Sequence, residues 1–170
     1  VVYGFFGLVL IVPMIQSATG RDGSTMLAAS VLLAIMILPT IIGVTESSLR
    51  SVPESYYEGS LALGATHERS IFFTIIPAAK SGIVAGIVLG IGRAVGETMA
   101  VIMVAGNQAR MPAGLFRGVR TLTANIVLEM GYAADLHREA LIATGVVLFV
   151  FILLINLAVS LLNRRTHYGD

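Results

Sequence analysis

The chain has 170 residues, of which 56% are hydrophobic and 12% are charged, whereas a soluble domain ordinarily carries about 25% charged residues. This composition excludes an ordinary soluble domain and indicates a membrane protein. The net charge of +1 comes without a basic stripe, which excludes nucleic acid as a main partner, and the absence of cysteine excludes disulfides and thiolate sites.

Four apolar segments are long enough to cross a membrane as helices, because about 20 helical residues span a hydrocarbon core of ~30 Å. They predict spans at about 1–18, 26–46, 79–106 and 140–163. We therefore expect a single all-α, polytopic transmembrane domain over 1–170. The chain starts at Val1 in apolar sequence without a charged leader region, so we also expect it to be the C-terminal part of a longer membrane protein.

A polar segment over 47–78 carries the signals of a short helix. Pro53 suits a first helical turn, and Gly64 fits the left-handed residue that often follows a helix. A second short helix is predicted over 68–75, ending before Pro77. A polar helix pair between two spans fits a partner-docking element and a solvated connector equally well.

Three glycines at four-residue spacing follow, namely Gly82, Gly86 and Gly90. Small residues at this spacing let helices approach closely, so we predict helix packing along this stripe. Gly92 and Gly96 lie on an offset face beside Arg93, where they leave room for a solute.

Arg93 and Glu97 interrupt the span predicted over 79–106, since residues 81–92 and 98–109 carry no charge. A charge at the centre of a membrane helix costs roughly 2.5–3.5 kcal/mol, which makes this pair a candidate functional site. The spacing places both side chains on one helix face, and a guanidinium matches phosphate oxygens bidentately. The alternative is a permanent ion pair that only fixes helix packing.

The loop over 107–139 predicts a short amphipathic helix at 119–130. Its arginines either attract an anion or contact a binding protein, or are simply solvated: Arg110, Arg117 and Arg120. Charge counting does not orient the chain, because five basic residues lie in the links on each side of the predicted spans.

The chain lacks the signals of an ATP-hydrolysing enzyme or a metal site. Lys80, the only lysine, follows Ala79 where a phosphate-binding loop has glycine. The three histidines, His67, His137 and His167, are far apart. We therefore expect no enzymatic activity, no metal and no cofactor.

The polar segment resembles the EAA motif of ABC importer permeases. Glu58 is followed by Gly59 and Ser60, where the motif has two alanines. Gly64 and Pro77 keep the motif's spacing. The resemblance implies that this segment is cytoplasmic and seats in a groove of an ATPase subunit, which also settles the orientation and makes the loop over 107–139 extracytoplasmic.

Further along, the segments 92–101 and 104–107 resemble the phosphate importer permeases, and 121–126 is similar to their PstC-type subunit rather than to its PstA-type partner. The resemblance covers nearly the whole chain. It implies a type I ABC importer permease, a MetI-like helical bundle, in the bacterial or archaeal inner membrane. Such permeases typically have six spans, whereas four are predicted here.

The resemblance implies a permease subunit that forms the path for inorganic phosphate import, powered by ATP hydrolysis on a separate subunit. The implied partners are an ATP-binding ABC subunit, a second PstA-like permease subunit, an extracytoplasmic phosphate-binding protein and membrane lipid. The implied substrate path contains Arg93, Glu97 and Thr98. ATPase coupling is implied for Glu58, Gly64, Ala65 and Pro77.

Three alternatives stay open at this point. The chain fits a permease for another oxyanion or small solute, for which competition by sulfate or molybdate is diagnostic. It also fits a secondary transporter or channel in which Arg93 and Glu97 relay protons or ions without an ATPase. The third is a membrane scaffold for phosphate signalling that does not itself transport.

Overall fold

A computed structural model of the chain describes residues 1–20, 22–111 and 113–167. These residues are predominantly helical, and within them the only strand-like pairing is a single β-bridge between Gly106 and Val119. The prediction of an all-α fold is confirmed.

The described residues form both membrane-length and short helices. In chain order they are α1 (Val2–Thr19), α2 (Met26–Arg50), α3 (Glu54–Ala62), α4 (His67–Ala78), α5 (Lys80–Gly96), α6 (Met99–Val104), α7 (Leu122–Glu129) and α8 (Asp135–His167). By length and composition, α1, α2 and the Asp135–Ala158 part of α8 suffice to cross a membrane. The pair of α4 and α5, bent by 66°, is a fourth span if the two helices cross together.

Three prolines of the described residues lie inside helices, Pro13, Pro39 and Pro77, and the first and last of them each follow a wider, π-helical turn. The π turn covers Gly7–Ile11 before Pro13, and Ile71–Ile75 before Pro77. A proline lacks an N–H and crowds the carbonyl four residues earlier, and the π turn moves the preceding hydrogen bond to the carbonyl five residues back. The expectation that the second polar helix ends before Pro77 is therefore wrong, because α4 continues through it.

The contacts divide the chain into two compact units, where the sequence predicts a single domain over 1–170. The first comprises Val1–Ile37 and Arg93–Ile155. Its core consists of buried residues from α1, α2 and α6, namely Ile11, Ile15, Ala28, Leu32, Ala100 and Val104. Gly4 lets α1 approach α6 closely, because a Cβ at this position would lie 2.9 Å from the Cα of Ala100. Helix α6 is thus held from two sides.

The loop before α7 supplies hydrogen-bond acceptors to the start of α2. The first amides of a helix have no acceptor within that helix. The Met26 N–H donates to the Arg117 carbonyl and the Leu27 N–H to the Leu115 carbonyl, both at 2.9 Å. These bonds fix the loop against the helices of the first unit.

The second unit comprises Leu38–Gly92 with the end of α8 from Asn156. In it the glycine stripe of α5 packs on α2. A Cβ on Gly82 would come within 2.5 Å of the Ser48 Cβ, and one on Gly90 would lie 2.7 Å from the Ile41 Cγ1. The predicted helix packing along this stripe is confirmed.

Candidate functional site

The candidate substrate-path residues surround a break between two helices. The sequence predicts one span over 79–106, but α5 ends at Gly96 and α6 begins at Met99. Glycine is a poor helix former, and the next two side chains offer the backbone alternative hydrogen bonds. The expectation of one uninterrupted helix here is therefore corrected to two helices with Glu97 and Thr98 between them.

The side chains of Glu97 and Thr98 bind backbone groups at the two ends of this break. The Glu97 carboxylate accepts a hydrogen bond from the Ala100 amide at 3.1 Å. The Thr98 hydroxyl donates to the Gly96 carbonyl at 3.3 Å. The last carbonyls and the first amides of a helix lack partners within that helix, so these two bonds stabilise the break.

Arg93 and Glu97 also match the electrostatics of the helix ends. Arg93 lies in the last turn of α5, and Glu97 lies two residues before the first residue of α6. Cations are favoured at helix C-termini and anions at N-termini, typically by about 0.3–1 kcal/mol each. The expectation that four-residue spacing places the pair on one helix face does not hold, because Glu97 lies outside the helix.

A recess of about 340 Å³ lies beside Glu97 in the first unit. Its lining is mainly apolar, with residues such as Leu33, Val101 and Phe151, and Glu97 is the only charged residue among the described residues that line it. Thr98 is half-buried, and the Arg93 side chain is exposed and does not line this recess. The break therefore presents a carboxylate to the recess, and the guanidinium lies one helical turn earlier.

The candidate coupling residues occupy α3 and α4 in the second unit. Helix α3 ends in a Schellman motif, in which the Ala65 N–H donates to the Ser60 carbonyl at 3.1 Å and the Gly64 N–H to the Leu61 carbonyl at 2.9 Å. Gly64 has φ +84°, so the predicted left-handed cap is confirmed. Glu58 is exposed on α3.

Helix α4, which contains Pro77, packs against α3. The Tyr57 hydroxyl and His67 Nδ1 are 2.7 Å apart, and their rings meet edge to face at 5.7 Å between centroids. The Thr66 hydroxyl accepts a hydrogen bond from the Arg69 amide at 3.4 Å and thereby caps the start of α4. The structure thus brings the four candidate coupling residues onto one helix pair.

Sequence reasoning missed an internal network around Arg120. The Arg120 guanidinium donates to the Asn107 carbonyl at 3.1 Å, to the Asn125 side chain at 3.3 Å and to Glu129 at 2.7 Å. His137 Nε2 lies 3.6 Å from the second oxygen of Glu129. Arg120 is therefore neither simply solvated nor free to meet an anion. Nine residues separate it from Glu129, a spacing that gives no signal of contact in the sequence.

The same network fixes the end of α6. Gly106 and Asn107 both have positive φ, +79° and +48°, and the Asn107 side chain donates to the Ile102 carbonyl at 2.7 Å. Asn107 Oδ1 is buried without a hydrogen-bond partner. The segment 104–107, which resembles the phosphate importer permeases, thus forms a joint between α6 and the loop, and Arg120 holds that joint.

Replacing Glu129 with glutamine is expected to loosen this joint, because Arg120 loses its anionic partner. The Tyr132 hydroxyl and then Arg120 hold the pKa of Glu129 below its ordinary value. A lowered pKa means that the stabilisation is present near neutral pH and is lost as the pH falls through that lowered pKa. Hydrogen exchange in the full-length protein should show reduced protection over 104–129.

The control for this experiment is Glu139→Gln, since Glu139 is exposed. It should leave protection over 104–129 unchanged. Equal protection in the Glu129→Gln variant and the parent protein at neutral pH would contradict the role given to Arg120.

Arg110 and Arg117 line an open recess of about 420 Å³ together with Asp22 and Gln108. Arg110 donates to the Gln108 side chain at 2.5 Å. Two guanidinium groups facing one recess favour anions, and Asp22 partly offsets them. Of the three arginines singled out in the loop, these two are the ones that face solvent.

The comparisons with known proteins decide the family. The family described as binding-protein-dependent transport system inner membrane component matches residues 1–168. The chain belongs to this family. It is therefore a multi-pass membrane permease and a component of a transport system, and the type I ABC importer (MetI-like) fold class predicted from the sequence is confirmed.

This permease chain spans about half of the length of the relatives that it matches. The probable ABC transporter permease protein YqgH of Bacillus subtilis (strain 168) is 40% identical over 168 residues, which cover 97% of this chain and 54% of that protein. The phosphate transport system permease protein PstC of Mesorhizobium japonicum is 34% identical over 176 residues, covering 91% and 54%. PstC of Xylella fastidiosa (strain 9a5c) is 32% identical over 192 residues, covering 100% and 59%. No solved structure matches the chain.

Proposed function

We propose that this permease subunit forms part of the path by which inorganic phosphate enters the cell, powered by ATP hydrolysis on a separate subunit. The names of the PstC relatives support the solute. The observation that carries the proposal is the helix break at Glu97 and Thr98, with Arg93 in the last turn of the helix before it.

A broken helix at membrane depth favours a transport role. Irregular backbone inside a membrane is tolerated where it is buried in protein or lines a water-filled cavity, and interrupted helices mark binding sites in several transporter folds. From Lys80 to Arg93 the helix rises roughly 20 Å at 1.5 Å per residue. If α5 starts near one interface, Arg93 and the break lie well within the ~30 Å core.

In the proposed mechanism Arg93 binds the anion, because its planar fork pairs with two phosphate oxygens and stays charged in a dry site. Glu97 is the counter-charge: it holds Arg93 when the path is empty and yields it to phosphate, or accepts a proton from a protonated phosphate oxygen. The Thr98 hydroxyl gives up its hydrogen bond to the Gly96 carbonyl and donates to the solute instead.

The coupling proposal rests on α3 and α4. Glu58 projects from α3 with an exposed side chain, and Gly64 and Ala65 close that helix. Helix α3 and helix α4, which contains Pro77, seat together in the groove of an ATP-binding ABC subunit. Nucleotide-driven closure of the ATPase then rocks the spans as rigid bodies. A second, PstA-like permease subunit and an extracytoplasmic phosphate-binding protein complete the assembly.

A second candidate function is the import of another oxyanion, since the name of the YqgH relative specifies no solute. Uptake of labelled phosphate by the full assembly in vesicles distinguishes the two. We expect ATP-dependent uptake that excess sulfate and molybdate leave unchanged. Absence of ATP-dependent uptake of labelled phosphate, in an assembly that takes up labelled sulfate or molybdate, would overturn the phosphate assignment.

A further inference from the structure

Helix α4 has two faces with opposite surroundings. Ser70 is buried, and His67 is bound to Tyr57 of α3. Phe72 and Phe73 instead expose 66% and 76% of their surface. Residues 67 and 70 are three apart and share one side of α4, whereas the exposure of Phe72 and Phe73 places these two side chains away from it. One face of α4 is therefore covered by α3, and the two adjacent phenyl rings project away from it.

One arginine contacts a phenyl ring, and the only lysine of the chain follows the helix that carries the rings. The Arg69 Cζ lies 5.7 Å from the centre of the Phe73 ring, over its face. Lys80 is exposed at the start of α5, two turns beyond Phe73. A helix with phenyl rings between arginine and lysine has the composition of a segment lying in a lipid headgroup region.

The position of α4 in the chain favours contact of these rings with lipid rather than with water. Helix α4 joins the apolar helix α5 through the single residue Ala79, with a bend of 66° between the axes. If α5 runs close to the membrane normal, as spans generally do, α4 lies nearer to the membrane plane than to the normal. Its exposed face then adjoins the surface that α5 enters.

We propose that Arg69, Phe72 and Phe73 form an interfacial anchor that binds the phospholipid surface. The phenyl rings enter the boundary of the acyl chains, and Arg69 and Lys80 pair with lipid phosphates. The anchor holds α4 at the membrane while its other face holds α3. This role is independent of the transported solute and of the residues of the helix break.

The test uses the absence of cysteine from the chain. Phe73→Cys is introduced into the full-length protein, with cysteines elsewhere in the assembly replaced, and is spin-labelled in vesicles of phosphatidylethanolamine and phosphatidylglycerol. Collision with oxygen, which is enriched in lipid, is compared with collision with a water-soluble nickel chelate. Phe149→Cys on α8 is the lipid control, and Met111→Cys in the loop is the aqueous control; both parent side chains are exposed, by 66% and 89%.

We expect the ratio of oxygen to nickel collision at position 73 to exceed that at 111 severalfold and to approach that at 149. Phe72→Cys should give the same result and serves as the second label where the first variant fails to assemble. A ratio equal to that at 111 would overturn the proposal in favour of solvent. Low collision with both reagents would overturn it in favour of a protein partner.

Discussion

Arg93→Lys is expected to reduce ATP-dependent phosphate uptake by roughly 10- to 100-fold, because an ammonium group cannot form the two parallel hydrogen bonds that a planar guanidinium makes with phosphate. A hydrogen bond to a charged group contributes about 1.5–3 kcal/mol, and each ~1.4 kcal/mol corresponds to a factor of ten. Lysine keeps the positive charge at the end of α5, so the local helix-end electrostatics are preserved. The measurement is the initial rate of uptake by the reconstituted full assembly.

The matched control is Arg138→Lys, since Arg138 is exposed in the first turn of α8. It should retain the uptake rate of the parent protein. Glu97→Gln provides a second variant, and it should also impair uptake. Normal uptake in both Arg93→Lys and Glu97→Gln, in assemblies that form normally, would remove this pair from the mechanism and leave it as a structural feature of the helix break.

Gly64→Val is expected to uncouple ATP hydrolysis from uptake. Gly64 has φ +84°, a conformation that costs a residue with a side chain roughly 1–2 kcal/mol and a β-branched residue more. Strain of this size shifts the population of the capped α3 by about tenfold. Uptake should therefore fall strongly, whereas the residues around the break that are proposed to bind the anion are unchanged. The measurement is the ratio of phosphate transported to ATP hydrolysed.

Gly59→Ala is the control for this experiment. Gly59 lies inside α3, and a Cβ there would contact nothing within 4 Å, so alanine should be tolerated and should favour the helix. Coupling should match that of the parent protein. A Gly64→Val assembly with normal coupling would contradict the assignment of α3 as the coupling helix.

Features with local or periodic signals were predictable from the sequence. The apolar runs indicated membrane helices, the four-residue glycine spacing indicated the packing of α5 on α2, and Gly64 indicated a helix cap. Each signal depends on neighbouring residues or on helix periodicity. The continuation of α4 through Pro77 was not predictable, because it depends on a π turn, and the helix propensities of the individual residues do not indicate where such a turn forms.

The candidate site was predicted in composition but not in geometry. A charge pair at four-residue spacing looks the same in the sequence whether the helix continues or breaks between its members. The break depends on the hydrogen bond from Ala100 to Glu97 and on the contacts that hold α6. The Arg120–Glu129 ion pair joins the loop before α7 to the last residue of α7. A contact of this kind leaves no periodic pattern in one sequence.

The proposed passage of the solute through the break between α5 and α6 is tested most directly by thiol access to Thr98→Cys in the full assembly. A charged, water-soluble thiol reagent should modify this cysteine, block ATP-dependent uptake, and react more slowly when phosphate is present. Leu136→Cys in the first turn of α8, where Leu136 is 79% exposed, is the control, and its modification should leave uptake intact. A Thr98→Cys assembly that transports phosphate but is never modified, or that still transports after modification, would contradict the claim.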